Sequence, residues 1–213
     1  NKIQIVWFKR DLRITDHRPI FEASINSIPT LPIYIVETDY WKQPFASKRH
    51  WSFIHDSLKD LRKDLKNIGQ SLIVRSGSVK KIFEELSYRY NIISILSHEE
   101  TGNQWTYDRD KSLQNWCLLK NISFTEFPSN GIVRRLKNRF EWSKIRNSRM
   151  KEKLVSTPTN LIPLIGIDEG IIPSKEDPVF ENNYKGIVQK GGRSEVLKIM
   201  ESFLSYRGKN YTY

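Results

Sequence analysis

The sequence predicts an α/β domain built on a doubly wound, open, five-stranded parallel sheet. Two observations carry that prediction. Over residues 1–127, five short β-rich runs alternate with segments of helical period; after Phe127 the alternation stops. Strand, helix, strand in regular order argues for a parallel sheet covered on both faces. Right-handed crossovers then leave the open, doubly wound topology.

The strand runs are 3–8, 31–37, 71–75, 92–97 and 122–127, each rich in β-branched and aromatic residues. The first predicted helix, 19–27, places Pro19 in its opening turn, where a missing N–H is tolerated. The second, 47–68, carries Trp51, Ile54, Leu58, Leu61, Leu65 and Ile68 at alternating spacings of three and four. Ser47 suits its N-cap and Gly69 its end. The third, 78–90, repeats the pattern through Val79, Ile82, Phe83, Leu86 and Tyr90. The fourth opens at Thr101 with Gln104 three residues on, a capping-box arrangement, and presents Trp105, Leu113, Trp116 and Cys117 on its apolar face. Trp7, Trp51, Trp105 and Trp116 are all expected in the core.

Beyond Phe127, residues 134–153 hold nine Lys or Arg against Glu141 and Glu152, a basic helix. Residues 154–190 carry Pro158, Pro163, Pro173 and Pro178 with little period and read as a long connector. Helical period returns from Gly191 through Val196, Ile199, Met200, Phe203 and Leu204, and stops at Tyr213 with too few residues for a second core. The division expected is 1–130, 131–190 and 191–213.

Composition bounds the function. Aromatics at 12% with charged residues at 28% describe a folded chain. A net charge of +11 favours polyanionic partners, nucleic acid first among them. The lone Cys117 permits no internal disulfide and fits a reducing compartment, so a cytoplasmic protein is expected. No apolar run approaches the roughly 20 residues of a membrane span. His17, His50, His55 and His98 show no metal-site spacing, so no metal is expected. Cys117, on an apolar helical face, reads as a structural thiol. No GxSxG is present.

In open α/β sheets, ligands sit at the carboxyl ends of the strands near the switch in strand order. That points to loops 9–13, 37–47 and 97–102. The first follows VWFKRDLRITDH (6–17), in which Lys9, Arg10, Asp11 and Arg13 crowd the strand exit without a glycine. A phosphate-cradling turn needs glycines there, so P-loop and dinucleotide readings fall.

The same stretch resembles the N-terminal signature of the photolyase/cryptochrome family, a strand running into W-F-[RK]-[RK]-D-L-R and then D-N or D-H. ASKRHWSFIHDSLKDLRKDL resembles the family's long second helix. SHEETGNQWTYDRD resembles its loop and helix after the fourth strand, ending in the Arg-Asp pair at Arg109 and Asp110. GGRSEVLKIMESFL resembles the opening of the helical flavin domain. Four motifs in order cover essentially the whole chain.

The resemblance implies a Rossmann-like antenna domain at 1–130, a basic helix and linker at 131–190, and the start of a helical FAD-binding domain at 191–213. It implies light-driven, FAD-dependent repair of pyrimidine dimers in double-stranded DNA, with FAD and lesion held by the protein's own C-terminal helical domain. A monomer is expected, with no catalytic side chains in this stretch. Any antenna chromophore is expected among Lys9, Arg10, Asp11, Glu37, Lys48, Arg49 and Glu100. Folate-binding members carry a histidine after the second strand and an Asn-Glu pair in the helix after the fourth. Here Gln43, Pro44 and Phe45 fill the loop, and the pair falls at Trp105 and Thr106. A folate antenna is therefore disfavoured against a flavin, deazaflavin or lumazine. Arg134, Arg135, Lys137 and Arg139 are candidate DNA-phosphate contacts. The alternatives are a cryptochrome-type photoreceptor without repair, a nucleotide-binding α/β module and a basic nucleic-acid-binding module.

Overall fold

The computed structural model describes residues 1–129, 131–180, 186 and 188–211; the expected connector and final segment also include 181–185, 187, 212 and 213, which lie outside the described residues. Strand β1 (Lys2–Phe8) is central in a five-stranded, wholly parallel sheet ordered β3-β2-β1-β4-β5. Its partners are β2 (Thr30–Val36), β3 (Ile73–Ser76), β4 (Asn91–His98) and β5 (Ser123–Phe127). The expected topology stands, and every strand lies within two residues of its expected bounds.

The alternation along β1 divides the core. Val6 and Phe8 face helices α1 (Arg18–Ile25) and α3 (Lys48–Asn67), packing with Ile20, Trp51, Leu58, Leu61 and Leu65. Ile3, Ile5 and Trp7 face α4 (Val79–Arg89) and α5 (Gln104–Leu119), packing with Phe83, Leu113, Trp116 and Cys117. Burial on both faces explains why β1 and β2 are mostly apolar runs without regular polar alternation. Trp105 departs from the expected core. It is half-buried at the start of α5, with its ring 5.5 Å from Tyr40.

Ser47 caps α3 by accepting from the His50 N–H at 3.3 Å, and Gly69 follows its end at φ +100°, where a side chain would be strained. Two helix starts differ from expectation. Asn103, not Thr101, caps α5, accepting from Thr106 N–H at 3.2 Å; Gln104 reaches forward to Asp108, so no capping box forms. His17 caps α1 through Nδ1, which accepts from Ile20 N–H at 3.2 Å. A one-turn helix, α2 (Thr38–Trp41), follows β2 and was not expected, because four residues are too few to show a period.

Residues 154–180 have little regular structure yet are tied to the sheet. Strand β3 faces only Ile33–Val36 of β2, so Pro32 lies where β3 has not begun. There Thr30 N–H donates to Ile162 O at 2.9 Å, and Val74 N–H donates to Glu169 O at 2.7 Å. Leu161 and Leu164 are buried, and Phe180 stacks on Trp51 at 4.0 Å. The segment covers the edge of β3, an edge that would otherwise invite strand addition. The basic stretch forms a 3-10 turn (Arg139–Glu141) and α6 (Trp142–Met150), shorter than expected; α7 (Arg193–Ser205) follows.

Because Phe180 is 2% exposed and stacks on a fully buried ring, Phe180→Ala should lower unfolding free energy by about 3 kcal/mol in a denaturant titration. An unchanged midpoint would mean the segment lies outside the cooperative unit.

Candidate functional site

The exits of β1, β2 and β4 meet at the carboxyl edge of the sheet, where strand order reverses between β1 and β4. Asp11 is the centre of this edge. Its Oδ1 accepts from Lys9 N–H at 2.8 Å; its Oδ2 accepts from His17 Nε2 at 2.7 Å and His98 Nδ1 at 2.6 Å. All three side chains are buried. Burial alone would favour the neutral acid on Asp11, but the His17 and His98 donors outweigh it and hold the carboxyl well below its ordinary range. Burial dominates at His17 and lowers its pKa below 6.5 despite the pull of Asp11.

Among the described residues, Asp11, His17 and His98 also form the one group whose side-chain atoms could converge on a metal, all within 4.8 Å of one another. Sequence spacing misses the trio, because the fold joins residues 87 positions apart. The tautomer of His17 argues against metal ligation. Its Nδ1 lone pair holds the Ile20 N–H, so its proton sits on Nε2, the nitrogen a metal would need bare.

Around this hub runs a closed set of ion pairs. Lys9 Nζ meets Asp110 at 3.1 Å and Glu126 at 3.0 Å, with Nζ 4.4 Å above the Trp7 ring. Arg109 meets Glu37 and Glu100 at 2.6 Å each and Asp110 at 2.8 Å. Arg10 meets Glu100 at 2.9 Å and donates to the Tyr40 hydroxyl. Arg134 closes the chain on Glu126 at 3.0 Å. Glu37 shares one guanidinium with two other carboxylates. Burial pushes its pKa up to about 7 against the attraction of Arg109, with Glu100 and Asp110 adding to the rise. At Glu100 burial is overcome by Arg109 and Arg10, and the pKa falls below its ordinary value.

Beside the network lies a cleft of about 1060 Å³, with Tyr40, Phe45, Phe53 and Val196 supplying apolar surface and Arg10, Arg49 and Arg193 supplying charge. Of the expected residues, Lys9, Arg10, Asp11, Arg49 and Glu100 line it. Glu37 lies behind it, facing Arg109, and borders a smaller cavity of about 340 Å³ with Trp105. Lys48 lines neither; it occupies the first position of α3, where the chain turns the next residue, Arg49, into the cleft. Tyr40 and Glu99, from the expected loops 37–47 and 97–102, also line the cleft, as does Arg193, which carried no sequence signal.

A family model described as DNA photolyase matches residues 4–139. The chain belongs to the DNA photolyase family. Its sheet and flanking helices are those of the photolyase N-terminal α/β domain. Cryptochrome DASH of Gloeobacter violaceus is 25% identical over 224 residues, covering 95% of this chain and 44% of that protein. The chloroplastic/mitochondrial cryptochrome DASH of Arabidopsis thaliana is 30% identical over 108 residues, covering 48% of this chain and 19% of the relative. Among solved structures, a Synechocystis cryptochrome superposes with a TM-score of 0.77 at 19% identity, over 98% of this chain and 47% of the other. An archaeal photolyase from Sulfolobus tokodaii, solved with two FAD molecules, gives 0.71 at 20% identity, over 94% and 46%. The chain spans less than half the length of these relatives. Among the described residues no helix is long and apolar enough to cross a membrane.

The buried groups set opposing pH dependences. Below about 6.5 the unfolded chain binds a proton that folded His17 refuses, so His17 makes stability fall on acidification. Folded Glu37 binds its proton near pH 7 and the unfolded residue near 4.5, so Glu37 makes stability rise as pH falls through that window. Glu37→Gln removes the second effect. Between pH 7 and 4.5 the variant should lose stability on acidification more steeply than wild type, by up to about 1.4 kcal/mol per pH unit. Parallel stability curves for the two proteins would refute the assignment.

Proposed function

We propose that this chain is the light-gathering N-terminal part of a light-driven, FAD-dependent DNA photolyase, and that its cleft takes an antenna chromophore of the flavin, deazaflavin or lumazine class. The observation that carries the reading is the cleft itself, an opening of about 1060 Å³ at the strand-order switch of a photolyase-family fold. Its volume suits a ligand of that size, and it joins an apolar wall to a charged lining that could fix a ligand's orientation. Tyr40, Phe45 and Phe53 offer faces for a planar ring system; Arg49 and Arg193 suit an anionic tail. A bound chromophore would supply light absorption; the residues of the chain would orient it and keep water from it.

The positions that align with the folate-binding pair support the choice of class. Thr106 is buried and donates its hydroxyl to Asn103 O at 2.9 Å, while Trp105 borders the smaller cavity, so neither lines the cleft. In this reading residues 1–130 form the antenna domain, 131–190 the basic segment and connector, and 191–213 open a helical domain that binds FAD and the lesion. Blue-light reception without repair is a second reading, favoured by relatives named cryptochrome DASH and blue-light photoreceptor PHR2. Dimer splitting under blue light by the protein that carries this chain separates the two.

FMN added to the chain should bind with a shifted absorbance spectrum. Arg49→Glu should weaken binding roughly tenfold or more through lost and reversed charge, whereas Lys48→Glu should leave it nearly unchanged. Equal loss in both variants, or FMN located at the opposite edge of the sheet, would overturn the site.

For DNA, the geometry narrows the candidate contacts. Arg134 is engaged by Glu126, and Arg135 donates to the Tyr107 hydroxyl at 3.1 Å, so both help to dock the basic segment onto the domain. Lys137, Arg139 and Lys144 are exposed and remain as phosphate contacts. Each neutralised phosphate contributes roughly 0.9 to the slope of log affinity against log salt, so replacing all three by Ala should flatten that slope by roughly 2–3 units. An unchanged slope would make the charge a solubilising feature.

A further inference from the structure

We propose that Glu99 is the specificity-determining group of the cleft, accepting a hydrogen bond from a ring N–H of the bound chromophore. The inference rests on the chromophore reading above and adds the orientation of the ligand and the chemistry it must present.

Glu99 directly follows β4 and is anchored to β5, its N–H donating to Phe127 O at 2.8 Å. The residue lines the cleft, and its Oε2 is buried without a hydrogen-bond partner among the described residues. Every neighbouring carboxylate at this edge is matched. Asp11 has three donors; Glu37 and Glu100 have Arg109; Asp110 and Glu126 have Lys9. Arg134 is near enough to feel the charge of Glu99, but its guanidinium donates to Glu126. Lys9, Arg10, Arg109 and Arg134 are therefore engaged with other carboxylates, and a buried acceptor left unmatched is costly, by about as much as a good hydrogen bond returns.

The cleft that Glu99 lines is the route by which a ligand would bring the missing donor. A phosphate or carboxylate would be repelled by Glu99, so the anionic end of a ligand belongs with Arg49 and Arg193. The complementary group is an uncharged, polarised N–H on a planar ring that fits against Tyr40 and Phe53. The pyrimidinedione edge shared by flavins, deazaflavins and lumazines carries such an imide N–H, and a carboxylate is a strong acceptor for it.

The test compares FMN with its N3-methyl analogue, in which the donor is blocked, on wild-type chain, Glu99→Ala and Glu99→Gln. Wild type should bind FMN roughly 10- to 100-fold more tightly than the analogue. Glu99→Ala should abolish that preference, and Glu99→Gln, which keeps a carbonyl acceptor without the charge, should retain part of it. The Tm of ligand-free Glu99→Ala should stay level or rise, because the variant loses an unmatched buried oxygen; a purely structural carboxylate would lower it. Equal binding of FMN and analogue by wild type, or an undiminished preference in Glu99→Ala, overturns the role of Glu99 and leaves the chromophore site standing. Failure of wild type to bind FMN at all overturns both.

Discussion

The carboxylate of Asp11 is the constraint on which the functional edge depends. It ties the exit of β1 to the exit of β4 through His98 and to the start of α1 through His17. The His17 ring in turn caps α1 with its other nitrogen. One side chain thereby fixes the relative position of two strand ends and a helix. The charges after Trp7 and Phe8 have this purpose. In a nucleotide-binding turn, glycines bring backbone N–H groups to a phosphate. Here the turn supplies side-chain charges that fold back onto the protein, and the backbone N–H of Lys9 is directed to Asp11.

The surrounding ion pairs are better understood as positional than as stabilising. Desolvating two charges offsets most of their attraction, so a buried pair contributes little net stability, while loss of one partner strands the other. Stability comes from the two apolar layers on either side of β1. What the network does is hold Arg10, Tyr40 and Glu100 in one arrangement at the cleft, with cations and carboxylates matched across the β1, β2, β4 and β5 exits. Against that matched background Glu99 is the carboxylate of this edge with an oxygen left unpartnered among the described residues.

The fold was legible because the central strands β1 and β2 are buried on both faces and each long helix of the sheet on one, so composition and period report directly on burial. Residues 47–68 show this in Trp51, Ile54, Leu58, Leu61 and Leu65, all buried. The candidate site was legible only in outline. Lys9, Arg10, Asp11 and Glu100 were placed by topology, since strand exits must share an edge. Their partners were not, because Asp110, Glu126 and His98 come from distant parts of the chain and pairing across space leaves no local pattern. Lys48 and Arg49 differ by 100° around α3, and sequence alone does not say which faces the cleft. The packing of the connector was illegible for the same reason: Leu161, Leu164 and Phe180 enter the domain singly, without a period to announce them.

Helix α3 is shared by two structures that must cooperate under the proposed function. Its first half borders the cleft through Arg49, His50, Phe53 and Ser57. The same region holds the start of α7: Gly192 N–H donates to Ser57 Oγ at 2.9 Å, and Ser194 N–H to Asp60 at 3.1 Å. Gly191 passes so close that a Cβ would lie 1.9 Å from Phe53 O, so only glycine fits there. Beyond this clamp α7 leaves Val196, Ile199, Met200 and Phe203 each at least 37% exposed. The cleft and the start of α7 are therefore mounted on one helix. A chromophore in the cleft would keep a fixed distance and orientation to whatever packs on α7, the condition that transfer of excitation between two pigments requires.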